Sequence, residues 1–196
     1  MITSVLRQAG INCLEFNSDS LKMKEISGAS IVRLHSLQDP QQLNSGQLDL
    51  PEKTGQCSGS NPAALCLRPR EWLLVSEAAK PVGLLEQVQN NIDPAQTAVY
   101  DNSDGLAIFR LSGSGAPWLL SKLSGLDYLA GTVAGAHCTR TKMGKIAVVV
   151  HYHQAGDDQF VFDLIFDRSL AKYLWNLLSE SAPHADDLAL AFGNAA

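Results

Sequence analysis

The chain has 196 residues, 45% of them hydrophobic and only 18% charged, with a net charge of −5 at pH 7. That length buries a real core as one domain or as two small, fused halves, and a mean hydropathy of −0.02 with a pI near 5.4 describes an acidic globular protein. The acidic balance argues against nucleic-acid binding, which needs a basic face to release counterions.

The charge content lies below the roughly 25% typical of soluble domains. A surface short of charge suits a chain that covers part of itself with a partner. Arg140-Thr141-Lys142 is the densest basic stretch and reads as a solvated strand end. Met1 to Gly10 lacks the apolar run of a secretory signal, and no stretch approaches the roughly 20 apolar residues that span a bilayer. A cytoplasmic location without membrane contact is therefore expected. Cys13, Cys57, Cys66 and Cys138 form no CxxC pair, which predicts reduced, mostly buried thiols.

In chain order, residues 1–29 read as polar and irregular, with a strand near Asn12–Phe16, and Ala29–Leu34 reads as a strand. Pro40–Pro62 is rich in Gln, Gly, Ser and Pro and predicts a long excursion. Ala64–Leu67 and Glu71–Ser76 are strand-like and interrupted at Pro69. Pro81–Ile92 predicts a helix, with Pro81 in its first turn and Leu84, Leu85, Val88 and Ile92 on one face. Thr97–Asp101 and Leu106–Leu111 are strands around the turn signal Asn102-Ser103-Asp104-Gly105. Gly115–Ser124 predicts a short helix with Pro117 in its first turn, closed by Gly125.

Val133–Met143 and Lys145–Tyr152 predict a hairpin through Met143-Gly144-Lys145. Gln159–Phe166 predicts a strand with Phe160, Phe162, Leu164 and Phe166 on one face. The last helix begins at Asp167, a plausible N-cap, and carries Leu170, Leu174, Leu177 and Leu178 on one apolar stripe. Tyr173 and Trp175 lie off the centre of that stripe, placed to face a partner or a sheet. Pro183 marks the expected stop.

From Leu67 onward the order is β–α–β–β–α–β–β–β–α. Helices do not separate every pair of strands, as a doubly wound parallel sheet would require. The pattern predicts α+β, with antiparallel sheets covered on one side by helices and ferredoxin-like split βαβ units. Residues 1–62 are assigned to the same domain as a core over residues 63–182, with 183–196 as a tail.

Motifs that carry chemistry are few. Leu111-Ser112-Gly113-Ser114-Gly115-Ala116-Pro117 joins a strand to a helix, but Trp118 stands where a dinucleotide fingerprint needs glycine, which favours a tight turn over an anion site. His151 and His153 share one face of a strand, as a metal clip would require. No carboxylate or cysteine at ligand spacing completes it, although Asp157 and Asp158 follow in a turn, so no metal is expected. His137 and Cys138 point to opposite faces and do not form a nucleophile–base pair. Glu71 beside Trp72 offers a carboxylate and an indole to an amine or a pterin ring, against the plainer reading of a core tryptophan. No GxSxG, HExxH, P-loop or paired-carboxylate pattern occurs, so no catalytic residue is assigned.

Three stretches together resemble the gamma subunit of heterotetrameric sarcosine oxidase. Leu67-Arg68-Pro69-Arg70-Glu71-Trp72-Leu73-Leu74 looks like that family's Pro-x-Glu-Trp-Leu segment. Leu111-Ser112-Gly113, with the following helix and Leu126-Asp127, is similar to its central block. Arg168-Ser169-Leu170-Ala171-Lys172-Tyr173-Leu174-Trp175 is close to its Arg-Ser-Phe-Ala-x-Tyr-Leu-Trp helix, departing at Leu170. The matched region runs roughly from Ala64 to Ser179. The insertion before Pro62 and the tail beyond Pro183 have no counterpart in it.

The resemblance implies a fold like the folate-binding domain of glycine-cleavage T-protein. It also implies a non-catalytic role in a complex that oxidatively demethylates sarcosine to glycine, hydrogen peroxide and a one-carbon unit accepted by tetrahydrofolate. FAD, FMN, NAD and tetrahydrofolate would then belong to the alpha and beta subunits and zinc to delta. This chain would bind no cofactor and would pack against alpha and beta, with delta as a further candidate. The alternative is a free-standing folate-binding, one-carbon-transfer protein. Glu71 and Trp72 are its pterin contacts, with Asp101 and Asp104 as further acids. An unrelated interaction module is the third reading, which a Rossmann sheet or helical bundle would favour.

Overall fold

Alternating side chains commit each strand to two faces, and here that alternation builds two sheets that share one interior. A computed structural model describes residues 15–43, 49–77, 81–128, 137–155 and 158–192. The elements are β1 (Glu15–Asn17), β2 (Lys22–Glu25), β3 (Ser30–Ser36), α1 (Pro40–Leu43), β4 (Cys57–Ser58), β5 (Ala63–Arg68), β6 (Glu71–Ser76) and α2 (Pro81–Asn90). They continue with β7 (Thr97–Asp101), β8 (Leu106–Ser112), α3 (Gly115–Leu123), β9 (His137–Met143), β10 (Ile146–Ala155), β11 (Asp158–Asp167) and α4 (Ala171–Phe192). The expected strand near Asn12 is seen from Glu15. Cys13, Asp157 and the expected start of β9 at Val133 lie outside the described residues.

One sheet has the order β1-β2-β8-β11-β10-β9 and the other β4-β5-β6-β3-β7. The described strand pairings are antiparallel. Because β6 and β7 both run antiparallel to β3 between them, they are parallel to each other and α2 makes a split βαβ unit. β8 and β10 flank β11 in the same way.

Among the described residues, three apolar cores hold these layers together. Phe109, Phe162, Leu164, Phe166 and Val148 on the outer face of the larger sheet meet Leu119 and Leu120 of α3 and Leu174, Leu178, Ala182 and Ala185 of α4. Trp72, Leu74, Val32 and Leu34 on the outer face of the smaller sheet meet Leu84 and Val88 of α2, with Leu43 and Leu50 closing the edge. Ile31, Leu65, Leu73, Val75, Ile108 and Ile165 fill the space between the sheets. β6 is therefore buried along its whole length. The α+β class, with helices on one face of each sheet, is the class expected.

One expectation is corrected, at the last helix, and one expected turn proves to be a crossing. The turn Asn102–Gly105 leads from one sheet to the other, since β7 and β8 belong to different sheets. Arg168 fixes this crossing. Its guanidinium donates to the carbonyls of Asp104 at 2.9 Å, Ser103 at 3.2 Å and Leu106 at 2.9 Å. The last helix does not stop at Pro183, which lies inside α4. Ala182, Ala185 and Ala189 extend the buried stripe of Leu174 and Leu178 by further turns, and tertiary packing outweighs the hydrogen bond a proline removes.

Local chemistry accounts for the tight connections. Pro69 takes the first central position between β5 and β6, and Arg70 the second with φ of 64°, the pattern of a type II turn. Gly144, with φ of 56°, opens the β9–β10 hairpin. Asp167 caps the 3-10 turn Arg168–Leu170 by accepting from the Ser169 N–H at 2.9 Å. The glycine-rich segment is a tight turn. Gly113 has φ of 96°, and a Cβ there would collide with the Ser20 carbonyl. Replacing Gly113 with alanine should destabilise the chain by roughly 1–3 kcal/mol, measured by urea denaturation. An unchanged midpoint would contradict that backbone geometry.

Candidate functional site

On the inner faces of four strands, apolar side chains give way to polar ones at the same level. Along β8 the change is from Ile108 to Arg110, along β11 from Ile165 to Asp163, and along β10 from Val149 to His151 and His153. On the facing sheet, Leu73 and Val75 of β6 are followed by Glu77. Register then aligns the changes. Ile108, Ile165 and Val149 are direct cross-strand partners, and so are Arg110, Asp163 and His151. The result is a polar cleft of about 350 Å³ at one end of the inter-sheet core. Gly59, Ser60, Ala63, Val75 and Tyr152 complete its lining.

The centre of the cleft is a paired carboxylate. Arg110 donates to Asp163 twice, Nε to Oδ1 and Nη2 to Oδ2, both at 2.7 Å. The same guanidinium also reaches Glu77, with Nη1 3.2 Å from Oε2. His153 Nε2 lies 2.9 Å from Asp163 Oδ2. The rings of His151 and His153 stack at 4.7 Å between centroids and 24° between planes.

Burial alone would raise the Asp163 pKa, but hydrogen bonds from Arg110 and His153, and the charges behind them, hold it below the usual carboxylate range. Burial likewise works against the Arg110 cation, and pairing with Asp163 and then Glu77 outweighs it, raising its pKa. His151 has no such compensation. Burial, reinforced by His153, Arg110 and His137 and opposed by Asp163, lowers its pKa to about 4, so this imidazole is neutral at pH 7.

The sequence places no carboxylate at ligand spacing from the histidine pair, and the fold brings one beside it. Asp163 comes from the neighbouring strand, ten positions beyond His153. Ligand atoms of His151, His153 and Asp163 all lie within 4.8 Å of one another, the one such group of His, Cys, Asp or Glu among the described residues. The available signal was a lone aspartate and a lone arginine inside otherwise apolar strands, Phe-Asp-Leu-Ile and Phe-Arg-Leu.

The other expected site residues lie elsewhere. Trp72 is fully buried, and its indole N–H donates to the Pro51 carbonyl at 2.8 Å. Glu71 is 2% exposed and is paired with Arg68 and, at 3.2 Å, with Arg33. The two leave β6 on opposite faces, so the structure does not bring them to one ring. Asp101 accepts from the Ser103 N–H at 2.9 Å. Trp175 is half-buried and packs edge-on against Phe109 at 5.3 Å. Tyr173 is 46% exposed, so of the pair it is the one turned to solvent. His137 and Cys138 are neighbours on β9, the first half-buried and the second buried. The Cys138 thiol lies 3.5 Å from the Cys66 carbonyl, and Cys57, Cys66 and Cys138 are free.

No family model matches the sequence, and neither does any curated protein. Among solved structures, the chain is similar to one from the heterotetrameric sarcosine oxidase of Corynebacterium sp. U-96 in complex with pyrrole 2-carboxylate. The TM-score is 0.74 at 19% identity, over 87% of this chain and 88% of that one. It is also similar to the glycine cleavage system aminomethyltransferase T of Bartonella henselae, with a TM-score of 0.63 at 13% identity. The chain has the fold of these two proteins. That is the fold which the three sequence stretches implied. The two likenesses differ in extent: the second covers 81% of this chain but only 45% of the aminomethyltransferase. No described helix is long and apolar enough to cross a membrane.

Proposed function

We propose that this chain is a gamma-like, non-catalytic subunit of a sarcosine-oxidase-like complex, packing against flavin-bearing alpha and beta subunits in the cytoplasm. The observation that carries the reading is the mutual extent of the likeness, 87% of this chain against 88% of the oxidase chain. A free-standing one-carbon-transfer enzyme would be expected to share more than the 45% covered in the aminomethyltransferase. The residues behind the sequence resemblance support a structural role. Trp72 fills a core and ties down Pro51, Glu71 holds two arginines, and Arg168 clamps the crossing between the sheets.

In this reading FAD, FMN, NAD and tetrahydrofolate chemistry resides in the partner chains, delta is a further neighbour, and Tyr173 is a contact on the exposed side of α4. A tagged chain purified gently from its native host should recover flavin absorbance and two larger chains. Tyr173→Glu should reduce that recovery several-fold while leaving the circular dichroism spectrum unchanged. Recovery without flavin would contradict the reading. Saturable binding of tetrahydrofolate by the isolated chain would instead favour the free-standing folate-binding alternative.

A further inference from the structure

We propose that the cleft between the sheets is a binding site for a divalent first-row transition ion, with His151, His153 and Asp163 as ligands and Arg110 as the residue that orients Asp163. Two imidazoles two residues apart on β10 necessarily share a face; their rings stack at 4.7 Å between centroids, with ligand nitrogens within 4.8 Å of each other. Asp163 stands opposite His151 in the register and diagonal to His153. Ligand atoms about 2 Å from a tetrahedral zinc ion stand about 3.3 Å apart. His153 Nε2 and Asp163 Oδ2 are already 2.9 Å apart, and all three ligand atoms fall within 4.8 Å. Side-chain rotation closes the remainder.

The surroundings suit a cation. Arg110 faces two carboxylates, Asp163 and Glu77, so the fixed charges leave one negative charge in excess. A carboxylate has about four lone-pair directions and can accept from a guanidinium while binding an ion. Ligating carboxylates are usually themselves held by hydrogen bonds from an outer partner, and Arg110 holds Asp163 in this way. The site has three protein donors and opens into a cleft of about 350 Å³, which leaves room for water or a small ligand in a further position. Imidazole and carboxylate donors favour zinc, nickel, cobalt or iron over calcium and magnesium. Thiols are the competing donors in the molecule, because Cys57 and Cys138 neighbour each other between the sheets.

The full chain, freed of metal with a chelator, is titrated with Zn²⁺ by calorimetry. One Zn²⁺ per chain is expected. His153→Ala and Asp163→Asn should each weaken it by at least about 10-fold, whereas Cys57→Ser with Cys138→Ser should leave it unchanged. Co²⁺ bound to the wild-type chain should show visible ligand-field bands without thiolate-to-cobalt charge transfer, a readout that needs no variant to fold. Absence of stoichiometric Zn²⁺ binding, loss of binding on removing the thiols, or a thiolate charge-transfer band would each overturn the proposal.

Discussion

Replacing Arg110 with methionine should destabilise the metal-free chain by about 3–5 kcal/mol. The side chain is 16% exposed and its partner Asp163 only 7%. Removing the guanidinium leaves a carboxylate between the sheets with His153 as its remaining hydrogen-bond partner, and that desolvation is not recovered by the apolar replacement. With a urea m-value of about 2 kcal/mol/M, the midpoint should fall by roughly 2 M. Two further variants separate charge from packing. Arg110→Met with Asp163→Leu removes both charges and should recover a large part of the loss, since an ion pair replaced by apolar groups of similar volume is often neutral. Glu77→Gln should cost less than about 1 kcal/mol, because Glu77 is 47% exposed and water screens its pairing. A loss under about 1 kcal/mol for Arg110→Met would show that the central pair is not what organises the cleft.

The second large effect is expected in the pH dependence of stability. His151 is held neutral in the folded chain with a pKa of about 4, against 6.5 for an imidazole in water. Between those values the unfolded chain binds a proton that the folded chain does not, so stability rises with pH across the window. The contribution is fully present above pH 6.5 and lost as pH falls through 4. Its size is about 3 kcal/mol, because each tenfold change in proton affinity corresponds to roughly 1.36 kcal/mol. Asp163, whose pKa is also lowered, adds a loss of the same sign at more acidic pH. Denaturation midpoints of the chelator-treated chain and of His151→Phe, measured from pH 7.5 to about 4, isolate this residue by difference. The wild type should lose stability more steeply through the window. Parallel curves would contradict the burial assigned to His151.

Much of the fold is legible in the sequence because it depends on local rules. Gly144 announces the β9–β10 hairpin, Pro81 the start of α2, and the alternating phenylalanines the outer face of β11. What is not legible depends on which strand lies beside which. Asn102–Gly105 has the composition of any polar turn, and nothing local shows that it crosses from one sheet to the other. β2 has a single buried side chain, Met23, in Lys-Met-Lys-Glu, too little alternation to mark a strand. Leu43 and Leu50 sit in a polar excursion and become core only because Trp72 and α2 need a cover. Beyond Pro183 the stripe continues in alanines, whose small side chains weaken the periodic signal.

The cleft divides along the same line. His151 and His153 are visible as a pair because both belong to one strand. Asp163 and Arg110 join them through antiparallel register, which places residues distant in sequence directly opposite one another. A charged residue inside a strand that is otherwise apolar on both faces is the local trace of such a row. Glu71 shows the converse: adjacent to Trp72 in sequence, it serves arginines on the other face of the strand.

The role as an assembly subunit is tested most directly by native mass spectrometry of the tagged chain isolated from its own host. A single larger assembly is expected, in which the 21.1 kDa chain is present with flavin-carrying alpha- and beta-like chains, and from which it dissociates as an intact folded unit. Recovery of the 21.1 kDa species alone, under conditions gentle enough to preserve other heteromeric complexes of that host, would contradict it.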